Sequence, residues 1–184
     1  MTDDRGTILL TLARDAIGEQ FRLPPHPVPK LPWLKAPGAT FVTLTQNRQL
    51  RGCIGSIFAE RALVDDVALN ARGAAFRDTR FTPVKQPELA GLRVEVSLLS
   101  PLAPLRFNSE AALLEQLRPG IDGLVLDYGR RRGTFLPQVW EQLPQPQEFL
   151  AHLKEKTGLP QRFWDADVRV SRYTVEKWCE PEGS

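Results

Sequence analysis

No apolar stretch in the sequence is long enough to span a bilayer, and Met1-Thr2-Asp3-Asp4-Arg5 lacks the positive region and apolar run of a secretory signal. These absences predict a cytoplasmic protein with no membrane partner. Cysteine is scarce, and Cys53 and Cys179 lie far apart with no CxxC pair, so a disulfide framework is excluded and both read as free thiols. Two histidines and two cysteines without close spacing do not predict a conventional zinc site, and carboxylate-bound magnesium stays open. No GxxxxGK[ST] loop, GxGxxG fingerprint or GxSxG elbow occurs, which removes the common nucleotide-dependent and serine-hydrolase explanations. No cofactor is assigned. A net charge of +2 does not by itself call for nucleic acid or membrane.

What is present suits a folded core. The 184 residues are 42% hydrophobic and 25% charged, enough for one core or two closely associated subdomains. Arginine outnumbers lysine, and its planar fork suits carboxylate and phosphate recognition, although surface arginines also occur without a ligand.

Ile8, Leu9, Leu12, Ala13, Ala16 and Ile17 recur at helical steps and predict a first helix. Residues 23–37 are proline-rich and read as a surface arm or linker. Ala39–Thr45 and Leu50–Phe58 predict a hairpin, followed by a helix over Ala62–Phe76. Leu92–Leu99 alternates apolar and polar residues as a two-faced strand does. Asn108 or Ser109 can cap a helix over Glu110–Leu117. Gly123–Tyr128 and Thr134–Leu136 predict a second hairpin around a Gly129–Gly133 loop, then Pro137 opens a short helix and Pro146–Thr157 forms a longer one. Val168–Val175 closes the chain as a strand. The order is no strict βαβ series, so the expected fold class is α+β, with a mostly antiparallel or mixed sheet and flanking helices.

Arg51-Gly52-Cys53-Ile54-Gly55-Ser56 is the least ordinary segment, because two glycines in a strand permit a ligand or another backbone to come close. Alternation places Arg51, Cys53 and Gly55 on one face. The competing reading is a bulged edge strand with Cys53 as a small core residue. Leu50-Arg51-Gly52-Cys53-Ile54-Gly55 resembles the signature hexapeptide of the AMMECR family. Ala74–Phe81, Val94–Leu99, Gly120–Leu124, Thr134–Trp140, Phe149-Leu150 and Lys156–Leu159 resemble its later blocks in the same order.

That resemblance spans nearly the whole chain and implies a compact α+β fold of two associated parts. It does not imply a defined activity. It also implies a pathway shared with Memo-like and radical-SAM proteins, although this chain carries no three-cysteine iron–sulfur motif of its own. The candidate site comprises Arg51, Gly52, Cys53, Gly55, Asn70, Asp78, Arg80 and Glu95, expected to meet in a polar cleft that takes an anionic substrate, small or macromolecular. An ordinary ion-pair set competes with that reading. Cys53 has no general base at a recognisable spacing: His26 sits in the proline-rich arm and His152 on a helix. Two other readings stay open, a noncatalytic interaction or regulatory module, and RNA binding through Arg130-Arg131-Arg132 and exposed aromatics.

Overall fold

Helix α1 (Asp4–Gly18) forms where the apolar period predicts it, burying Leu9, Leu12, Ala13, Ala16 and Ile17. The structure is a computed structural model that describes residues 4–181. The chain divides into two units, one built from Met1–Leu99 with Glu176–Ser184 and the other from Ser100–Val175.

In the first unit the proline-rich arm is not wholly a linker. Pro32, with its fixed φ, opens the helical turn α2 (Pro32–Lys35) and Leu34 is buried. The short strand β1 (Pro37–Gly38) then leads to β2 (Thr40–Gln46), β3 (Gln49–Gly55), β4 (Arg61–Ala62), α3 (Leu63–Phe76) and β5 (Leu92–Leu99). β1 pairs with β4, and β2 lies between β3 and β5, all antiparallel. The strand expected to run to Phe58 ends at Gly55, where the Ser56 amide turns to the Thr40 carbonyl at 2.8 Å. Asn47 and Arg48 connect β2 to β3 as a two-residue turn with φ of 51° and 62°, the sign a primed hairpin turn requires. α1 and α3 cover one sheet face, closing a core around Leu9, Val42, Leu44, Val67, Val94 and Val96. Alternation on β5 slips at its end, where Ser97 and Leu99 are buried and Leu98 is half-buried.

In the second unit, β6 (Ala103–Pro104), α4 (Glu110–Leu114), β7 (Gly123–Tyr128), β8 (Arg131–Phe135), α5 (Pro146–Lys156) and β9 (Arg169–Tyr173) make an antiparallel sheet of order β6-β9-β7-β8 with packed helices. Ser109 is the cap of α4, accepting from the Ala112 amide at 3.1 Å, and the helix is shorter than expected. The expected glycine-bounded loop is only a tight turn at Gly129-Arg130. Arg131 and Arg132 belong to β8, held by the Gly158 carbonyl and the Asp127 carboxylate. Gly158, at φ 84°, stops α5 as expected. Phe149 stacks on Trp140 at 3.8 Å in this unit's core.

The predicted strand Val168–Val175 forms as β9, but it does not close the chain, because a further strand follows it. β9 ends at Tyr173, and β10 (Val175–Cys179) joins the first unit's sheet beside β5. Local pattern does not reveal which sheet a strand will join.

Candidate functional site

β3 departs from plain alternation at Arg51. Leu44 faces Gly52 while Thr45 faces Leu50, so Arg51 is the extra residue of a β-bulge. Cys53 and Gly55 share the half-buried sheet face with Thr43 and Phe41. Gly52 and Ile54 share the helix-covered face with Leu44 and Val42.

Both glycines of β3 are closely approached by the chain's own atoms. A Cβ on Gly52 would stand 2.0 Å from the Ala74 carbonyl oxygen of α3, and one on Gly55 2.2 Å from the Phe41 ring. Gly73 reciprocates, since a Cβ there would stand 2.9 Å from Ile54 Cγ2. Strand and helix backbones therefore meet at a separation no side chain permits.

Around Cys53 several of the expected residues do meet. Its backbone N–H donates to Asp78 Oδ2 at 2.9 Å, and Arg80 Nη2 reaches its carbonyl at 3.4 Å. Thr43 Oγ1 donates to Cys53 Sγ at 3.3 Å, and Glu95 faces Thr43 from the other side in the sheet register. Burial pushes the thiol's pKa up, opposed by the Thr43 hydrogen bond and Arg80 and reinforced by Asp78 and Glu95. The thiol form is thereby favoured over the nucleophilic thiolate. Neither histidine serves Cys53: His26 pairs with Asp15 at 2.8 Å and His152 with Glu155 at 3.3 Å.

Asp78 is nearly fully buried and gathers Arg80 Nε at 3.0 Å, Arg80 Nη2 at 2.7 Å and the Cys53 amide. The Arg80 hydrogen bonds hold its carboxyl well below the usual carboxylate range despite burial, and Asp78 in turn raises Arg80. Arg51 forms a second fork, with Nε to Glu88 Oε1 at 3.0 Å and Nη2 to Glu88 Oε2 at 3.3 Å. That fork lowers the Glu88 pKa, as does the Lys85 amide at 2.7 Å. The third nitrogen, Arg51 Nη1, is buried without a partner, alone in this among the side-chain polar atoms of the described residues. Glu95 pairs with Lys177 at 3.6 Å. The carboxylates thus hold three separate cations, not the single shared cluster expected.

Asn70 belongs to a different network. Its Nδ2 donates to the Thr40 carbonyl at 3.0 Å, to Ser56 Oγ at 3.1 Å and to the fully buried Asp66 Oδ2 at 3.0 Å. Asp66 also accepts from the Thr40 amide and hydroxyl at 2.8 and 2.7 Å, and from Arg61 at 2.8 Å. The four-residue spacing of Asp66 and Asn70 on α3 was a readable signal for this pair. Glu88 had none, because its link to Arg51 spans 37 residues of sequence.

Among the described residues, no group of three or more His, Cys, Asp or Glu could hold a metal ion, and no helix is long and apolar enough to cross a membrane. The antiparallel sheets with flanking helices define an α+β protein. The chain matches the AMMECR1 family over residues 10–178 and belongs to it. A protein of Methanothermobacter thermautotrophicus is 37% identical across 98% of this chain and 96% of its own length. One of Thermococcus gammatolerans is 38% identical across 95% and 89%. The crystal structure of the uncharacterized protein PH0010 from Pyrococcus horikoshii superposes with a TM-score of 0.87 at 35% identity, covering 99% of this chain and 94% of that one.

Proposed function

We propose that this AMMECR1-family chain binds a small anionic ligand beside β3, without using Cys53 as a nucleophile. The orphaned Arg51 Nη1 carries the reading. Glu88 fixes the other two nitrogens of the guanidinium, so the remaining donor is pre-oriented and lacks an acceptor. An anion supplies that acceptor and adds charge attraction to it. Arg80, more than half exposed and anchored to Asp78 through Nε and Nη2, offers Nη1 to the same class of ligand. The raised thiol pKa and the histidines' other partners argue against a thiolate mechanism.

A second reading has its own support. Arg51, Arg80 and Lys177 each already hold a carboxylate, as residues of a structural ion-pair set do. On that reading the chain is a noncatalytic interaction or regulatory module, acting with Memo-like and radical-SAM proteins.

A metabolite pool and an RNA pool incubated separately with wild type, Arg51→Ala, Arg80→Ala and Cys53→Ser, with matched thermal melts, separate the readings. A small anion retained by wild type and Cys53→Ser but lost by the folded arginine variants supports the proposal. Retention of RNA alone, or of nothing, removes it. Covalent capture abolished by Cys53→Ser restores thiol catalysis.

A further inference from the structure

Between α1, the proline-rich arm and the turn Gln86–Gly91 lies a cavity of about 300 Å³, at the small end of the range for small-molecule sites. It shares no residue with the Arg51–Glu88 fork or with Cys53 and Arg80. Leu23 and Pro24 of the arm and Leu89 and Ala90 of the turn supply its apolar wall, and its polar members are Arg14, Asp15 and His26.

The local sequence holds the arm in place. Arg22, at φ 56°, turns the chain after the first helix, and the Leu23 amide then donates to the Gly18 carbonyl at 3.2 Å. Pro24, Pro25 and Pro27 fix their own φ and keep the residues before them extended, so little backbone freedom remains along this stretch. His26 closes the arm onto α1 at two points, its amide donating to Asp15 Oδ2 and its Nδ1 to Asp15 Oδ1, both at 2.8 Å. An ionised carboxylate only accepts, so Nδ1 carries the proton and Nε2 of the neutral ring is an acceptor. Nε2 has no partner among the described residues. Leu23 is 43% exposed, leaving apolar surface for a ligand to cover.

We infer that this cavity binds an uncharged small molecule with an apolar body and one hydroxyl group, the hydroxyl donating to His26 Nε2. The charges of the lining disfavour the other classes. Arg14 is neutralised by Glu180 and donates to the Leu89 and Leu92 carbonyls at 2.8 and 2.7 Å, so it does not call for an anion, and the Asp15 carboxylate repels one. A cation would need the Asp15 oxygens, both of which already accept from His26. An apolar body takes Leu23, Leu89 and Ala90 out of water, and a single hydroxyl gives the imidazole its missing donor.

NMR titration of the 15N-labelled full chain with cyclohexanol, cyclohexanone and cyclohexanecarboxylate, in separate arms at about pH 8, where imidazole is neutral, tests this. Cyclohexanol is expected to shift the Gly18, Leu23, His26 and Ala90 amides saturably while leaving Cys53 and Arg80 in place. Cyclohexanone has no hydrogen to donate and should bind about tenfold more weakly, with the carboxylate weaker still. Ala90→Leu narrows the cavity with the His26–Asp15 pair intact and should weaken the alcohol by about tenfold or more. His26→Phe keeps a ring without the acceptor and should bring the alcohol down to the affinity of the ketone. No saturable shift at these amides, equal affinity for alcohol and ketone, preference for the carboxylate, or undiminished alcohol binding by either variant overturns the inference. If His26→Phe releases the arm and lowers both ligands, the alcohol–ketone difference in wild type and the Ala90→Leu result decide. Carboxylate shifts confined to Cys53 and Arg80 would support the Arg51 reading and not this cavity, so the two sites fail separately.

Discussion

The two units treat buried polar groups differently. In the second, Lys154 is almost fully buried yet donates to Glu110 at 2.7 Å and the Gln161 carbonyl at 3.2 Å. Asp122 is enclosed by the Arg118 amide and guanidinium, and the Tyr173 hydroxyl meets Thr134 and the Phe135 carbonyl. In the first unit the Asp66 network is equally complete, but Arg51 Nη1 is not. Buried donors without acceptors are rare because each forfeits its solvation, so the exception marks where a binding site is most economically sought.

Glycine sharpens the contrast most. Gly52→Ala drives a methyl into the α3 backbone, with an expected loss of about 3 kcal/mol and a Tm lower by roughly 6–12 °C. Gly129→Ala in the second unit meets nothing within 4 Å and bears only the cost of φ 59°, about 1 kcal/mol. Thermal melts compare the two directly. Equal losses would mean that α3 and β3 separate easily, undoing the close-approach explanation.

The buried charges come next. Asp66→Ala leaves the Thr40 amide and Asn70 without their acceptor, for an expected loss of about 2–3 kcal/mol by urea unfolding. Lys154→Met should stay within about 1 kcal/mol, since an apolar residue of similar length fills the space and Glu110 is partly exposed to water. A larger loss for Lys154→Met would show that the second unit depends on its ion pair.

A smaller effect is tied to pH. The Asp78 pKa is lowered in the fold, so its carboxylate contributes stability fully above the ordinary carboxyl range, about pH 4 and higher, and loses it as pH falls further. The Tm difference between wild type and Asp78→Asn should therefore be greatest near neutrality and shrink below about pH 4. A difference that is constant down to pH 2 would assign the effect to packing.

Repeating local patterns made much of this architecture legible. The periods of α1, α3 and α5, the alternation along β5 and the Ser109 cap are each written within a few residues. Asp78 and Arg80 hydrogen-bond the Cys53 backbone, and Glu95 is close enough to act on its thiol. What escaped was set by pairing at a distance. A bulged edge strand is one of the two readings of the Arg51–Ser56 segment, but its position at Arg51 is set only when β3 meets β2, while Glu88 reaches Arg51 from a separate turn and β10 crosses back to a sheet begun far earlier. The partners of Asn70 were not legible either, because a helix position gives its face but not the strand end it touches.

The orphaned donor is open to direct observation by anomalous diffraction from crystals soaked in sodium selenate. The expected result is a selenium peak with an oxygen within about 3 Å of Arg51 Nη1, absent from Arg51→Lys crystals. A water or protein carbonyl satisfying Nη1, with no selenium beside it, would contradict the assignment of β3 as an anion-binding strand.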